Sequence, residues 1–146
     1  MNSDTWDRLD QEFDEFPTMR AIEVPSEDEI NVASEEVGIA FPQDYREFLA
    51  RYGGAMVGPY PVFGLRPVEV MGKNRWSVVD MTGRLRSSGL DGTSDWIVFS
   101  EDQAGNPIGM DADGKVWIYD HDFGGITELA SSFEEYIRAR CLKVTG

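Results

Sequence analysis

Phe41-Pro42-Gln43-Asp44-Tyr45-Arg46-Glu47-Phe48-Leu49-Ala50-Arg51-Tyr52-Gly53-Gly54 is the stretch from which the rest of the chain can be read. Proline suits the first position of a helix because its missing N–H would have no intrahelical partner there. Tyr45, Phe48, Leu49 and Tyr52 recur at i, i+3, i+4 and i+7, the stripe of a helix that buries one face. The glycine pair ends it. The segment therefore predicts a short, strongly amphipathic helix with a sharp stop.

Two more helices precede it. Trp6, Leu9, Phe13 and Phe16 predict a helix over residues 4–16, with Ser3 or Asp4 as N-cap and Pro17 as its stop. Ser26-Glu27-Asp28-Glu29 reads as a capping box opening a second, with Ile30, Ala33 and Val37 inward and Gly38 as a left-handed C-cap. After the glycine pair the pattern changes. Tyr60–Leu65 and Val68–Met71 look like short β runs, and residues 74–87 read as a helix with Trp76, Val79 and Leu85 inward. Trp96–Phe99, Ile108–Met110, Val116–Tyr119 and Gly125–Glu128 predict an antiparallel meander, with Asp113-Gly114 as a type I′ hairpin turn. A last helix starts at Ser132, where Glu135 suggests a second capping box and Phe133, Tyr136, Ile137 and Cys141 face inward. Helices, then strands, then one helix predict a single α+β domain over residues 1–146, its antiparallel sheet covered by helices on one side.

Composition narrows the function classes. The 146 residues carry a net charge of −14, distributed as −10 over residues 1–36, +1 over 37–100 and −5 over 101–146. Such a surface repels the phosphates of nucleic acid and of anionic membranes, so neither is an expected direct partner. It would speed encounter with a basic protein. The acidic, polar N-terminus has no secretory pattern, and the single cysteine cannot form an internal disulfide, which points to the cytoplasm.

Catalytic and metal chemistry find little support. His121, the only histidine, is flanked by Asp120 and Asp122, but no nucleophile elbow accompanies it and Cys141 falls on an inner helix face. One Cys and one His cannot make a zinc site. Asp111-Ala112-Asp113-Gly114 starts like a calcium loop, yet Gly114 comes too early and Lys115 stands where a third oxygen ligand belongs. The glycines fit no phosphate-loop spacing. Trp6, Trp76, Trp96 and Trp117 are expected as core anchors. The expectation is a non-enzyme without cofactor or metal.

The opening segment closely resembles the signature of the SUKH (Smi/Knr-like) superfamily. Similar motifs follow in order: Phe63-Gly64-Leu65, Trp96-Ile97-Val98-Phe99, Gly105-Asn106-Pro107-Ile108, Val116-Trp117-Ile118-Tyr119-Asp120-His121-Asp122 and Ser132-Phe133-Glu134-Glu135-Tyr136-Ile137. The resemblance runs from about Ser26 to Cys141. Gly53 stands where the family commonly has Asn. The resemblance implies helices packed on a curved antiparallel sheet, and no catalytic residues. It implies action through protein contacts: either an immunity protein that neutralises a cognate bacterial toxin, often a nuclease, or a housekeeping regulator or adaptor. The carboxylates of Glu101, Asp102, Asp111, Asp120 and Asp122, together with His121, flank the expected strand ends and are the candidate partner-binding residues.

Overall fold

The structure is a computed structural model that describes residues 1–144. Helix α1 spans Ser3–Glu15 and buries Thr5, Leu9 and Phe13. Its N-cap is Asn2, whose side chain accepts from the Thr5 N–H, rather than Ser3 or Asp4. Phe16 is 45% exposed instead of completing the stripe, because the helix ends at Glu15, ahead of a 3₁₀ turn over Pro17–Met19. Helix α2, Glu27–Val37, has the expected closed capping box between Ser26 and Glu29 and a left-handed Gly38 at its end. Helix α3, Gln43–Tyr52, buries Tyr45, Phe48, Leu49 and Tyr52, with Pro42 one position earlier as N-cap.

The backbone beyond α3 explains the glycines of the motif. Gly53 has φ +76°, and its carbonyl accepts the N–H groups of both Leu65 and Arg66. A Cβ on Gly64 would lie 2.1 Å from the Gly53 carbonyl oxygen, so the two segments meet backbone to backbone. Ala55–Val57 (β1) and Tyr60–Val62 (β2) form a two-stranded hairpin here. The run expected as a strand at Val68–Met71 is instead a 3₁₀ turn over Glu69–Met71, closed by the Met71 N–H on the Val68 carbonyl.

Helix α4, Val78–Ser88, starts four residues later than expected, capped by the Ser77 side chain. That shift buries Val78, Met81, Thr82 and Leu85, and leaves Trp76 and Val79 only half-buried. Thr82 Oγ1 accepts from the Val98 N–H at 2.9 Å, so α4 lies against the first strand of the main sheet. That sheet runs Ile97–Glu101 (β3), Pro107–Met110 (β4), Val116–Asp120 (β5) and Gly125–Ala130 (β6), antiparallel and in sequence order. Helix α5, Phe133–Tyr136, continues into a π turn over Ile137–Cys141. The Ser132 side chain caps it as expected, but Glu135 turns to the Ser131 hydroxyl, so the second capping box does not close.

Aromatic rings fill the space between α3, α5 and β3. Phe133 makes edge contacts with Tyr45, Phe48 and Phe99 at centroid distances of 5.2–5.4 Å. The Tyr45 hydroxyl donates to the Phe63 carbonyl at 2.6 Å, which satisfies the one polar atom of a fully buried ring. Asp44 accepts the Glu134 N–H at 3.0 Å, tying the start of α3 to α5. Of the four tryptophans only Trp96 is a core residue; the other three are half-buried.

Candidate protein-binding site

Strand direction decides which of the acidic residues can act together. In an antiparallel meander, the β3–β4 and β5–β6 connections fall at one end of the sheet and the β4–β5 turn at the other. Glu101, Asp102, Asp120, His121 and Asp122 therefore share an end, and Asp111 stands at the opposite one. A single patch containing all of them does not exist.

Asp111 is committed to its own turn. The Gly114 N–H donates to the Asp111 carbonyl and the Asp111 N–H to the Lys115 carbonyl, both at 3.0 Å. The Asp111 carboxylate accepts from the N–H groups of Asp113 and Lys115 and, at 2.9 Å, from Trp117 Nε1. Gly114 has φ +86°, whereas Asp113 has no positive φ. The hairpin is real, but its loop has three residues, a type I turn followed by a left-handed glycine, in place of the two-residue type I′ turn expected.

The shared end is built from side chains that fold back on the loops. Asp102 accepts the N–H groups of Ala104 and Asn106 on one carboxylate oxygen and the Asn106 side-chain amide on the other. The same Asn106 amide accepts the His121 N–H at 2.9 Å. Asn106 is only 6% exposed, so a buried amide bolts the β3–β4 loop to the β5–β6 loop. Asp120 accepts the N–H groups of Asp122 and Phe123 on its carboxylate, and the Gly124 N–H at 2.7 Å on its carbonyl. These contacts push the Phe123 ring into solvent at 89% exposure. Sequence reading assigned no role to Phe123, and none to Asn106 beyond its place in the Gly105-Asn106-Pro107-Ile108 motif. The signal for Phe123 was available: an aromatic between Asp122 and Gly124-Gly125 sits in a turn, where no core can reach it.

The carboxylates here differ in what they have left to offer. Glu101 forms a forked ion pair with Arg75. Asp102 and Asp120 hold their loops through backbone N–H groups. Asp122 takes no ion pair among the described residues. The His121 ring stands edge-on to Tyr119 at 5.5 Å and borders a hollow of about 290 Å³ with Arg75, Arg84, Leu85 and Leu90. Among the described residues its hydrogen bond comes from its backbone, and no carboxylate orients the ring as a general base would require. Burial pushes the Cys141 thiol up to about 12, which keeps it protonated and unreactive at neutral pH. Among the described residues no group of three or more His, Cys, Asp or Glu side chains could hold a metal ion, and no helix is long and apolar enough to cross a membrane. The shared sheet end thus carries several carboxylates and one projecting aromatic ring.

No curated protein matches the chain in a sequence search. A family match does exist: residues 24–139 fit the SMI1 / KNR4 family (SUKH-1). The matched segment runs from α2 into the π turn after α5 and contains both bolted loops. With most of its length matched and an α+β fold of that kind, the chain belongs to the SMI1 / KNR4 family (SUKH-1), whose domains are generally non-enzymatic and act through protein contacts.

Proposed function

We propose that this chain is a cytoplasmic immunity-type protein that neutralises a cognate bacterial toxin by direct binding, and that the bolted sheet end is the surface it uses. The observation that carries this reading is Phe123, an almost fully exposed ring held on a turn whose backbone is pinned by Asp120. An exposed aromatic ring costs solubility, and interface anchors are enriched in aromatics. Pinning the turn in advance lowers the ordering cost of association. Asp102, Asp120 and Asp122 add negative charge at the same end of the sheet. A nuclease toxin grips phosphate with Lys and Arg, and those cations would meet this rim while an apolar recess receives Phe123. Asp111, at the far end, is outside the proposed surface.

The reading is tested by capturing partners from the native cell, purifying the captured protein, and assaying its activity against increasing amounts of this chain. Loss of a toxic activity at stoichiometric addition is expected. A captured partner whose own activity is untouched would favour the regulator or adaptor role.

A further inference from the structure

A second surface has the opposite make-up, an apolar groove with an acidic rim on the helical side of the molecule. It lies between α2 and the start of α4 and encloses about 510 Å³. Val32, Ala33, Leu65, Trp76 and Val79 are its apolar lining. Val32 is 52% exposed, and the Trp76 ring is oriented by its Nε1–H, which donates to the Lys73 carbonyl at 2.9 Å.

The rim carries Asp28, Glu29, Glu36 and Asp80 against a single cation, Arg66. Arg66 is consumed by its ion pair with Glu29, which holds the Glu29 carboxyl below the usual range. The groove is therefore left with unmatched negative charge around an apolar centre. Two choices in α2 work against the helix itself. Valine is a poor helix former at an exposed position. Glu35 and Glu36 sit in the last turn, where the helix dipole disfavours negative charge, and the cation that reaches this end, Arg86, is spent on the Val37 carbonyl. Val32 and Glu36 both line the groove, where an occupant would use them.

We infer that the α2–α4 groove docks a helical segment of a protein partner that carries an aliphatic face flanked by Lys or Arg. Helices dock into such grooves through apolar residues spaced at i, i+3 or i+4 and i+7. The flanking cations would pair with Asp28, Glu36 and Asp80 across the rim. The inference rests on the reading that the chain acts by binding proteins, but it needs neither the sheet end nor a toxin.

The test uses the whole chain, isotope-labelled, and a synthetic helical peptide with leucines at that spacing and lysines on both sides of the leucine face. Nuclear magnetic resonance follows the Trp76 indole N–H and the Val32 and Val79 methyls. Saturable shifts at these three positions are expected. They should vanish for the same peptide with serine in place of leucine, and binding should weaken at least about tenfold for the Val32→Ser, Glu36→Gln variant, the scale on which interface anchors act. Both substituted residues are exposed, so the variant should melt like the parent. No saturable shift, or unchanged binding by the variant, would overturn the groove. Shifts confined to His121 and Phe123 would overturn it too, while leaving the sheet-end reading intact.

Discussion

Phe133 and Phe123 are ten residues apart and live in opposite worlds. Phe133 is fully buried in a ring cluster with Tyr45, Phe48 and Phe99, and Phe123 is 89% exposed. The ring partners of Phe133 are Phe48, Phe99 and Tyr45, whose hydroxyl is satisfied by the Phe63 carbonyl. Around Phe123 the neighbours are Asp120, Asp122 and glycine, and the hydrogen bonds hold the backbone while leaving the ring free. The first region is organised to exclude water. The second holds its backbone in place while its ring faces water, the preorganisation that the proposed binding surface would use.

Substitutions should separate the two regions by size of effect. Phe48→Ala, deep in the ring cluster, should cost about 3–5 kcal/mol in urea unfolding, since the rigid neighbours around Phe48 cannot fill the cavity. A loss below about 1 kcal/mol would mean that the cluster is not the core. The same region should be sensitive to alkali. Burial pushes the Cys141 thiol from 9.0 to about 12 and the Tyr136 hydroxyl well above its ordinary value of 10.0. Both raised values favour the neutral form in the fold. Their contribution is therefore full below about pH 9 and lost as pH rises from there through the folded-state values. Urea midpoints should fall steadily through the alkaline range, and the thiol should resist a disulfide reagent until the chain unfolds.

Asn106→Ala comes next. It removes the bolt between the loops and leaves the His121 N–H without its acceptor, at a cost of about 1–3 kcal/mol. Hydrogen exchange should accelerate in both loops, residues 102–106 and 120–124, and not in α3. Acceleration in only one loop would show that they are not coupled through this amide. Gly114→Val, at the far turn, should cost about 1–2 kcal/mol because φ +86° is a left-handed conformation that a Cβ disfavours. An unchanged melting temperature would contradict that turn geometry.

The helices were legible because their signals are local. The Ser26–Glu29 box, the Tyr45 stripe and the glycine stops each lie within one or two turns of chain. Part of what was misread depended on partners distant in sequence, and part on local signals too weak to rank. Val68-Glu69-Val70-Met71 alternates like a strand, but no neighbouring strand is there to pair with it, and it closes into a 3₁₀ turn. β1 lies in Ala55–Val57, where three residues after the glycine pair carry too little pattern to announce a strand. The start of α4 moved because Ser77 can cap it, whereas Asn74 and Arg75 remain in the preceding turn.

The site was half legible for the same reason. Its acidic residues could be named from the sequence, but with 27 of them in the chain, only the direction of the strands decides which share an end. Asn106 stood in the Gly105-Asn106-Pro107-Ile108 motif without a role of its own. Its bolt joins segments fifteen residues apart, and nothing local to it announces that contact.

The smallest expected effect on stability belongs to Phe123→Ala, within about 0.5 kcal/mol of the parent, because the ring touches so little. That near-neutrality makes it the sharpest probe of the account. The decisive measurement is the affinity of the captured partner for the parent and for Phe123→Ala, with melting temperatures recorded on the same samples. The account expects an unchanged melting temperature and a loss in affinity of about 2 kcal/mol or more, roughly thirtyfold, as an interface anchor gives. Unchanged affinity with an unchanged fold would contradict it and remove the sheet end as the binding surface.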